Sequence, residues 1–359
     1  MTKQRFYVTT AIPYVNGRPH LGFALEIVQA DALARHWRRR GAPVRFLTGT
    51  DDNSLKNVQA AEAEGVPLRD LVDRNAAAYA ALRDPLGLSF DDFIRTSSDP
   101  RHRAGVERLW RACQASGDLY RKLYQGLYCV GCEQFYAPAE LQDGRCPEHG
   151  TEPQLVTEEN WFFRLSRYRE RLAELIESGT LRIEPASRRN EVLGFIAGGL
   201  EDFSVSRSVT RSRGWGIGVP GDPDQVIYVW FDALANYLTA LGYGTDAPAY
   251  HQWWASGDRR VHVIGKGILR FQSIRENYQS TEDRQVRTGN SSTVLRPVAT
   301  SMKSTAGAIS ARTAAVCARP SAGTSGGRSS ARRRSSRCTV ASRMPMLATS
   351  SRRSIASPK

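Results

Sequence analysis

Residues 6–22 read FYVTTAIPYVNGRPHLG, and this stretch decides the fold. Phe6, Tyr7, Val8, Thr9 and Thr10 are aromatic or β-branched, as a buried strand should be, and Pro13, Asn16, Gly17 and Pro19 then interrupt regular structure. His20 opens the helix that follows. An imidazole there shares the positive end of the helix with backbone N–H groups that lack partners inside it, a place suited to a phosphate.

Working outward, residues 20–40 carry Leu21, Leu25, Val28, Ala32 and Leu33 at helical spacing and close on Arg38, Arg39 and Arg40 before Gly41. A second strand at 44–48 runs into the turn Gly49, Thr50, Asp51, Asp52, and helices are expected at about 55–64, 68–82 and 101–116. Strand, helix and strand with these crossover lengths predict an α/β fold with a parallel sheet, whose ligands bind beyond the carboxyl ends of the strands. His20 and Asp51 both follow strands and are expected to face one pocket.

Residues 116–224 break the alternation. Cys129 and Cys132, then Cys146 and His149, offer three thiolates and an imidazole as two spaced pairs, a donor set suited to tetrahedral zinc. Four protein ligands leave no open position for water, so the expected Zn2+ is structural, one per chain, in a small knuckle at about 126–152. Helices near 166–178 and 187–200 complete this insertion. A strand at 226–229, a helix at 230–241 and a buried strand at 261–264 ending on Gly265, Lys266 and Gly267 then resume the sheet. The Gly-Lys-Gly alone lacks the upstream glycine of a P-loop.

Charge divides the chain. Residues 272–359 hold 14 Arg and 2 Lys against 3 acidic residues, whereas residues 1–271 hold 34 basic against 33 acidic. All seven Trp and all twelve Phe precede residue 272, so the remainder reads as a disordered basic tail with little to fill a core. No apolar run reaches membrane-spanning length, and the N-terminus runs straight into a strand without a signal-peptide pattern. Cys113, Cys317 and Cys338 are scattered rather than paired into a framework. A cytoplasmic protein with no membrane partner is expected.

The ordered set of 11–14 (AIPY), 19–22 (PHLG), 48–51 (TGTD), the four-ligand knuckle, 186–192 (ASRRNEV), 228–233 (YVWFDA) and 262–266 (HVIGK) resembles bacterial methionyl-tRNA synthetases, which are class I aminoacyl-tRNA synthetases. The match covers about residues 4–271. It implies a Rossmann-like catalytic domain whose halves, 1–115 and 225–271, are split by the zinc-binding connective insertion, followed by the tail at 272–359. It also implies a ligase for protein biosynthesis: methionine attacks the α-phosphate of ATP, bound with Mg2+, to give methionyl-adenylate, and the acyl group passes to tRNA(Met). By this resemblance His20 and Lys266 serve the reacting phosphates, with Pro19, Gly22 and Gly265 as further ATP contacts. Asp51 holds the substrate ammonium, and Ala11, Ile12, Tyr14, Trp230, Ala233 and Tyr237 line the methionine pocket, an apolar and aromatic wall suited to a thioether.

Departures from the pattern are equally specific. Phe23 stands where the family motif usually has a second histidine, Asn53 and Ser54 replace histidine and glycine, Gly267 replaces an acidic residue, and Gln272 falls where a pocket histidine is usual. Beyond Gln272 neither the last core strand, nor the lysine-rich signature loop, nor an anticodon-binding domain is recognisable, 301–304 (SMKS) being only faintly like the loop. A sheet lacking its final strand, with an unpaired strand edge, and poor or absent charging of tRNA are expected on that basis. Two other readings stand beside the enzyme: a non-enzymatic zinc-knuckle RNA-binding protein, supported by the basic tail, and another nucleotidyltransferase, supported by the histidine motif.

Overall fold

The computed structural model describes residues 4–131, 134–269, 272 and 292–297. The chain starts with β1 (Phe6–Thr10), α1 (Leu21–Arg39), β2 (Val44–Thr50), α2 (Leu55–Glu64), α3 (Leu68–Ala80), β3 (Asp92–Arg95) and α4 (Pro100–Ala115). It continues through β4 (Leu119–Cys129), β5 (Gln134–Tyr136), β6 (Gln154–Phe163), α5 (Arg169–Glu177), β7 (Leu181–Ile183), α6 (Ala186–Ala197), β8 (Phe203–Ser204) and β9 (Ser206–Ser208). Then come α7 (Val209–Ser212), β10 (Gly218–Val219), β11 (Asp222–Ile227), α8 (Val229–Leu234), α9 (Asn236–Thr239), β12 (Arg259–Ile264) and β13 (Ser292–Pro297).

Six strands form a sheet in the order β3-β2-β1-β12-β13-β7, every neighbouring pair parallel. All five residues of β1 are buried, as expected of a strand covered on both faces. One face packs Tyr7, Leu47 and Ile94 with Trp110, Phe231 and Tyr237. The other packs Val8, Phe46 and Val263 against Phe23, Ile27, Ala30 and Ala34 of α1, whose three- and four-residue spacing makes one helix face. The α/β parallel sheet expected from the sequence is thus present, and α2 has the expected bounds.

Four findings correct the sequence reading. First, β13 lies beyond residue 271, where no further core strand is expected from the sequence, and pairs along its whole length with β12, Val261 opposite Val294, so β12 is an inner strand. Second, β7 lies within 116–224 yet closes the parallel sheet beside β13, so that segment is not wholly an insertion. Third, β11 ends at Ile227 and pairs antiparallel with β9 and β10, in a sheet of its own, so 226–229 does not resume the parallel sheet and the helix starts at Val229. Fourth, β3 extends the sheet beyond β2 without having been anticipated.

The first three share a cause: local periodicity shows that a strand exists, whereas its neighbours are chosen by contacts distant in sequence. The rest of the insertion contains an antiparallel sheet, β5-β4-β6-β8, beside α5, α6, α7 and the small β10-β11-β9 sheet. Among the described residues no helix is long and apolar enough to cross a membrane. The expectations of a disordered tail and of a loop at 301–304 lie outside the described residues.

Candidate active site

The carboxyl ends of β1 and β12 meet α1 through Glu26, and the turn after β2 bridges to the turn after β1. His20 caps α1, its Nδ1 accepting from the Phe23 N–H at 3.2 Å, which places a neutral ring's proton on Nε2 of an exposed side chain. Gly22 permits this, because a Cβ there would stand 3.0 Å from His20 Nδ1. Phe23 is buried, its ring edge-on to Tyr79 at 5.1 Å, so the position of the missing second histidine belongs to the core.

Beyond β2, Asp51 is buried and bridges in parallel to half-buried Tyr14, with its N–H donating to Pro13 O at 2.8 Å. These contacts bring the turns after β1 and β2 together. Lys56 Nζ lies 5.3 Å from the centre of the Tyr14 ring. Asp52 points the other way: Arg95 Nε and Ser97 Oγ donate to Oδ2, at 3.0 and 2.8 Å, and burial raises its carboxyl while Arg95 opposes the rise.

Trp230 is half-buried and Ala233 buried on α8; Tyr237 is buried on α9. Tyr237 is tightly fixed. Its carbonyl accepts from Tyr7 OH at 2.9 Å, its hydroxyl accepts from Gln272 Nε2 at 2.6 Å, and its ring centre lies 4.8 Å from that of His262. Gln272, where the family pattern has histidine, is thus bonded to Tyr237. Ala11 packs against the cluster containing Tyr237, while Ile12 and Pro19 are half-buried nearby in sequence. Gly265 is half-buried after β12, and Lys266 and Gly267 are exposed.

The second cluster lies on the β4–β5 hairpin side of the insertion. Donor atoms of Cys129, Cys146 and His149 all fall within 4.8 Å of one another, with both thiols buried and the imidazole exposed. Cys146 Sγ is 3.8 Å from His149 Nδ1. Gly131 makes room, since a Cβ there would meet the His149 ring at 2.7 Å. Tyr136 and Leu141 supply the only apolar cover packed with these two cysteines among the described residues. Two soft thiolates and an imidazole suit a transition metal; Cys132, the fourth expected ligand, lies outside the described residues.

This sequence matches the family model described as tRNA synthetases class I (M), over residues 6–154 and 136–276. The chain belongs to that family. Methionine–tRNA ligase of Brucella suis is 44% identical over 278 residues, 76% of this chain and 53% of the relative. The ligase of Mycobacterium bovis is 44% identical over 274 residues, 75% of this chain and 51% of that protein. The chain therefore spans about half the length of the curated relatives it matches. Among solved structures, Mycobacterium tuberculosis methionyl-tRNA synthetase in complex with methionyl-adenylate superposes with a TM-score of 0.74 at 40% identity, covering 82% of this chain and 57% of that one. The fold is that of this synthetase family.

Two polar residues of the site were not singled out as functional in the sequence. Asn53 was noted only as a departure, yet its Nδ2 donates to Asp232 Oδ2 at 3.0 Å. Glu26 is buried on the inner face of α1, with Oε1 accepting from Ala11 N–H at 2.8 Å. A signal for Glu26 was present: it falls on the Phe23, Ile27, Ala30 stripe, where an unpartnered acid has no reason to be.

Proposed function

We propose that this chain activates methionine with ATP and serves the charging of tRNA(Met). The observation supporting this reading is the Tyr14–Asp51 bridge, which pairs a buried acidic residue with a half-buried tyrosine just beyond β1 and β2, in a chain that belongs to the class I tRNA synthetases. Asp51 receives the methionine ammonium in a charge-assisted contact. Ala11, Ile12, Tyr14, Trp230, Ala233 and Tyr237 enclose the thioether side chain. The methionine carboxylate, so oriented, attacks the α-phosphorus of ATP, pyrophosphate leaves, and the acyl group of methionyl-adenylate then passes to a ribose hydroxyl of tRNA with release of AMP.

His20 presents Nε2–H toward the phosphates at the start of α1, and Lys266 adds a cation after β12; both stabilise charge as it develops. Pro19, Gly22 and Gly265 shape the nucleotide's approach, and Mg2+ enters with ATP. Cys129, Cys132, Cys146 and His149 hold one Zn2+, which cross-links the hairpin and takes no part in the chemistry. The protein acts in the cytoplasm. Domain limits near 1–115, 116–224 and 225–271 describe the chemistry's organisation, with β7 and β13 added to the catalytic sheet.

Methionine-dependent exchange of labelled pyrophosphate into ATP tests the reading, because it requires both substrates and the chemical step. Exchange that is absent, or indifferent to methionine, overturns it.

A further inference from the structure

Ala11 and Gly265 are the first residues beyond β1 and β12, two adjacent parallel strands in which Thr10 stands opposite Val263. At a strand end the ladder loosens, and a buried backbone N–H there gains from a further acceptor. The Ala11 N–H still reaches Val263 O of β12 at 3.2 Å, and one side chain bonds the backbone of both turns. Glu26 Oε1 accepts from Ala11 N–H at 2.8 Å, and the Gly265 N–H also bonds its carboxyl group. A Cβ on residue 265 would lie only 3.6 Å from Glu26 Oε2, so the carboxyl sits directly against that backbone. Glu26 itself is on α1, the helix that His20 caps, and is only 7% exposed.

We propose that Glu26 is a positioning residue for adenylate formation, clamping the turn after β1 to the turn after β12 and both to α1. The inference rests on the function proposed above. The β1 turn leads into Ile12 and Tyr14 on the methionine side, the β12 turn leads into Lys266 on the nucleotide side, and α1 carries His20. Neither substrate need touch Glu26. What the clamp sets is the separation between the two half-sites, and reaction between bound partners depends steeply on that separation.

The charge state fits the role. Burial pushes the Glu26 carboxyl up to about 8, although both N–H donors act to lower it. Near neutral pH the group is therefore largely the uncharged acid, which still accepts from both amides and brings little negative charge to a crevice meant for a triphosphate.

A clamp of this kind makes a distinctive signature in binding. A ligand that occupies one half-site tolerates a small shift of the other, whereas a ligand that joins both halves at fixed length does not. The test uses the full chain, wild type and Glu26→Gln, with three probes in calorimetry: methionine alone, magnesium with a non-hydrolysable ATP analogue, and a sulfamoyl analogue of methionyl-adenylate. Gln keeps the length but turns an NH2 toward one of the two amides. The expected result is methionine and ATP-analogue affinities within about threefold of wild type, with adenylate-analogue affinity reduced tenfold or more.

Equal adenylate-analogue affinity in both proteins overturns the clamp. So does a parallel fall for all three probes with a lower melting temperature, which is the mark of a merely structural glutamate. If Glu26→Gln does not fold, Glu26→Asp is measured in the same way; its shorter arm cannot span both turns, and the same criteria apply. A wild type that binds the adenylate analogue no more tightly than methionine alone overturns the proposed function itself, an outcome distinct from failure of the clamp.

Discussion

Asn53 Nδ2 donates to Asp232 Oδ2 at 3.0 Å, joining the turn after β2 to α8 across 179 residues of chain. Both side chains are buried, and the Asn53 amide also reaches Thr96 O at 3.4 Å. Asp51 and Trp230 each precede this pair by two residues, so the bond fixes the spacing between the proposed ammonium ligand and the proposed aromatic wall. Asn53→Ala withdraws a donor from a buried carboxylate, a loss of about 1.5 to 3 kcal/mol. Urea unfolding should show that loss and calorimetry a weaker affinity for methionine, while unchanged values in both would remove Asn53 from the site.

Phe23 and His20, three residues apart on the proposed phosphate motif, should respond oppositely. Phe23 is 4% exposed against Tyr79, and Phe23→Ala should cost about 3 to 5 kcal/mol of stability. His20→Ala loses only a helix cap, about 1 kcal/mol, yet should abolish pyrophosphate exchange. A stable Phe23→Ala protein would show that the ring is not the core element described.

Burial pulls His102 and His262 down to about 3. In the unfolded chain a histidine titrates near 6.5, so unfolding takes up protons that the folded state refuses. Their contribution is fully present above about pH 6.5 and is lost as the pH falls toward 3, roughly 2 kcal/mol per histidine by pH 5. Glu26 has the opposite slope, its contribution fading as the pH rises from about 4.5 to 8. In urea unfolding at pH 7.5 and 5.0, His102→Asn should lose less stability on acidification than wild type by about 2 kcal/mol. Identical losses would mean that His102 is protonated in the folded protein.

The cysteine–histidine cluster should hold one zinc per chain. Cys146→Ser should release it in elemental analysis and expose the 126–152 segment to protease, since among the described residues only Tyr136 and Leu141 pack with the cluster's cysteines. The parallel sheet should keep its melting temperature. Undiminished zinc in that variant would place the metal elsewhere.

Much of the site could be read directly from residue order. The start of α1 at His20, the bounds of α2, the strand before Asp51 and the clustering of Cys129, Cys146 and His149 all follow from signals confined to a few neighbouring residues: breakers, caps, period and Cys/His spacing. The family resemblance rests on the same short segments.

What tertiary structure alone decided is which segments meet. β13 lies in a segment otherwise rich in Ser and Arg, yet its register with β12 fills the inner place beside it. β7 looked like part of the insertion until its pairing with β13 placed it in the main sheet, and β11 looked like a return to that sheet but pairs with β9 instead. Glu26 and Asn53 are ordinary helix and turn residues by type, and only the approach of Ala11, Gly265 and Asp232 makes them part of the site. Local sequence sets the conformational preference of each segment, because capping and periodicity act over a few residues. Partnership is set by which arrangement buries the apolar faces and satisfies the buried polar groups together, and that balance exists only in the assembled fold.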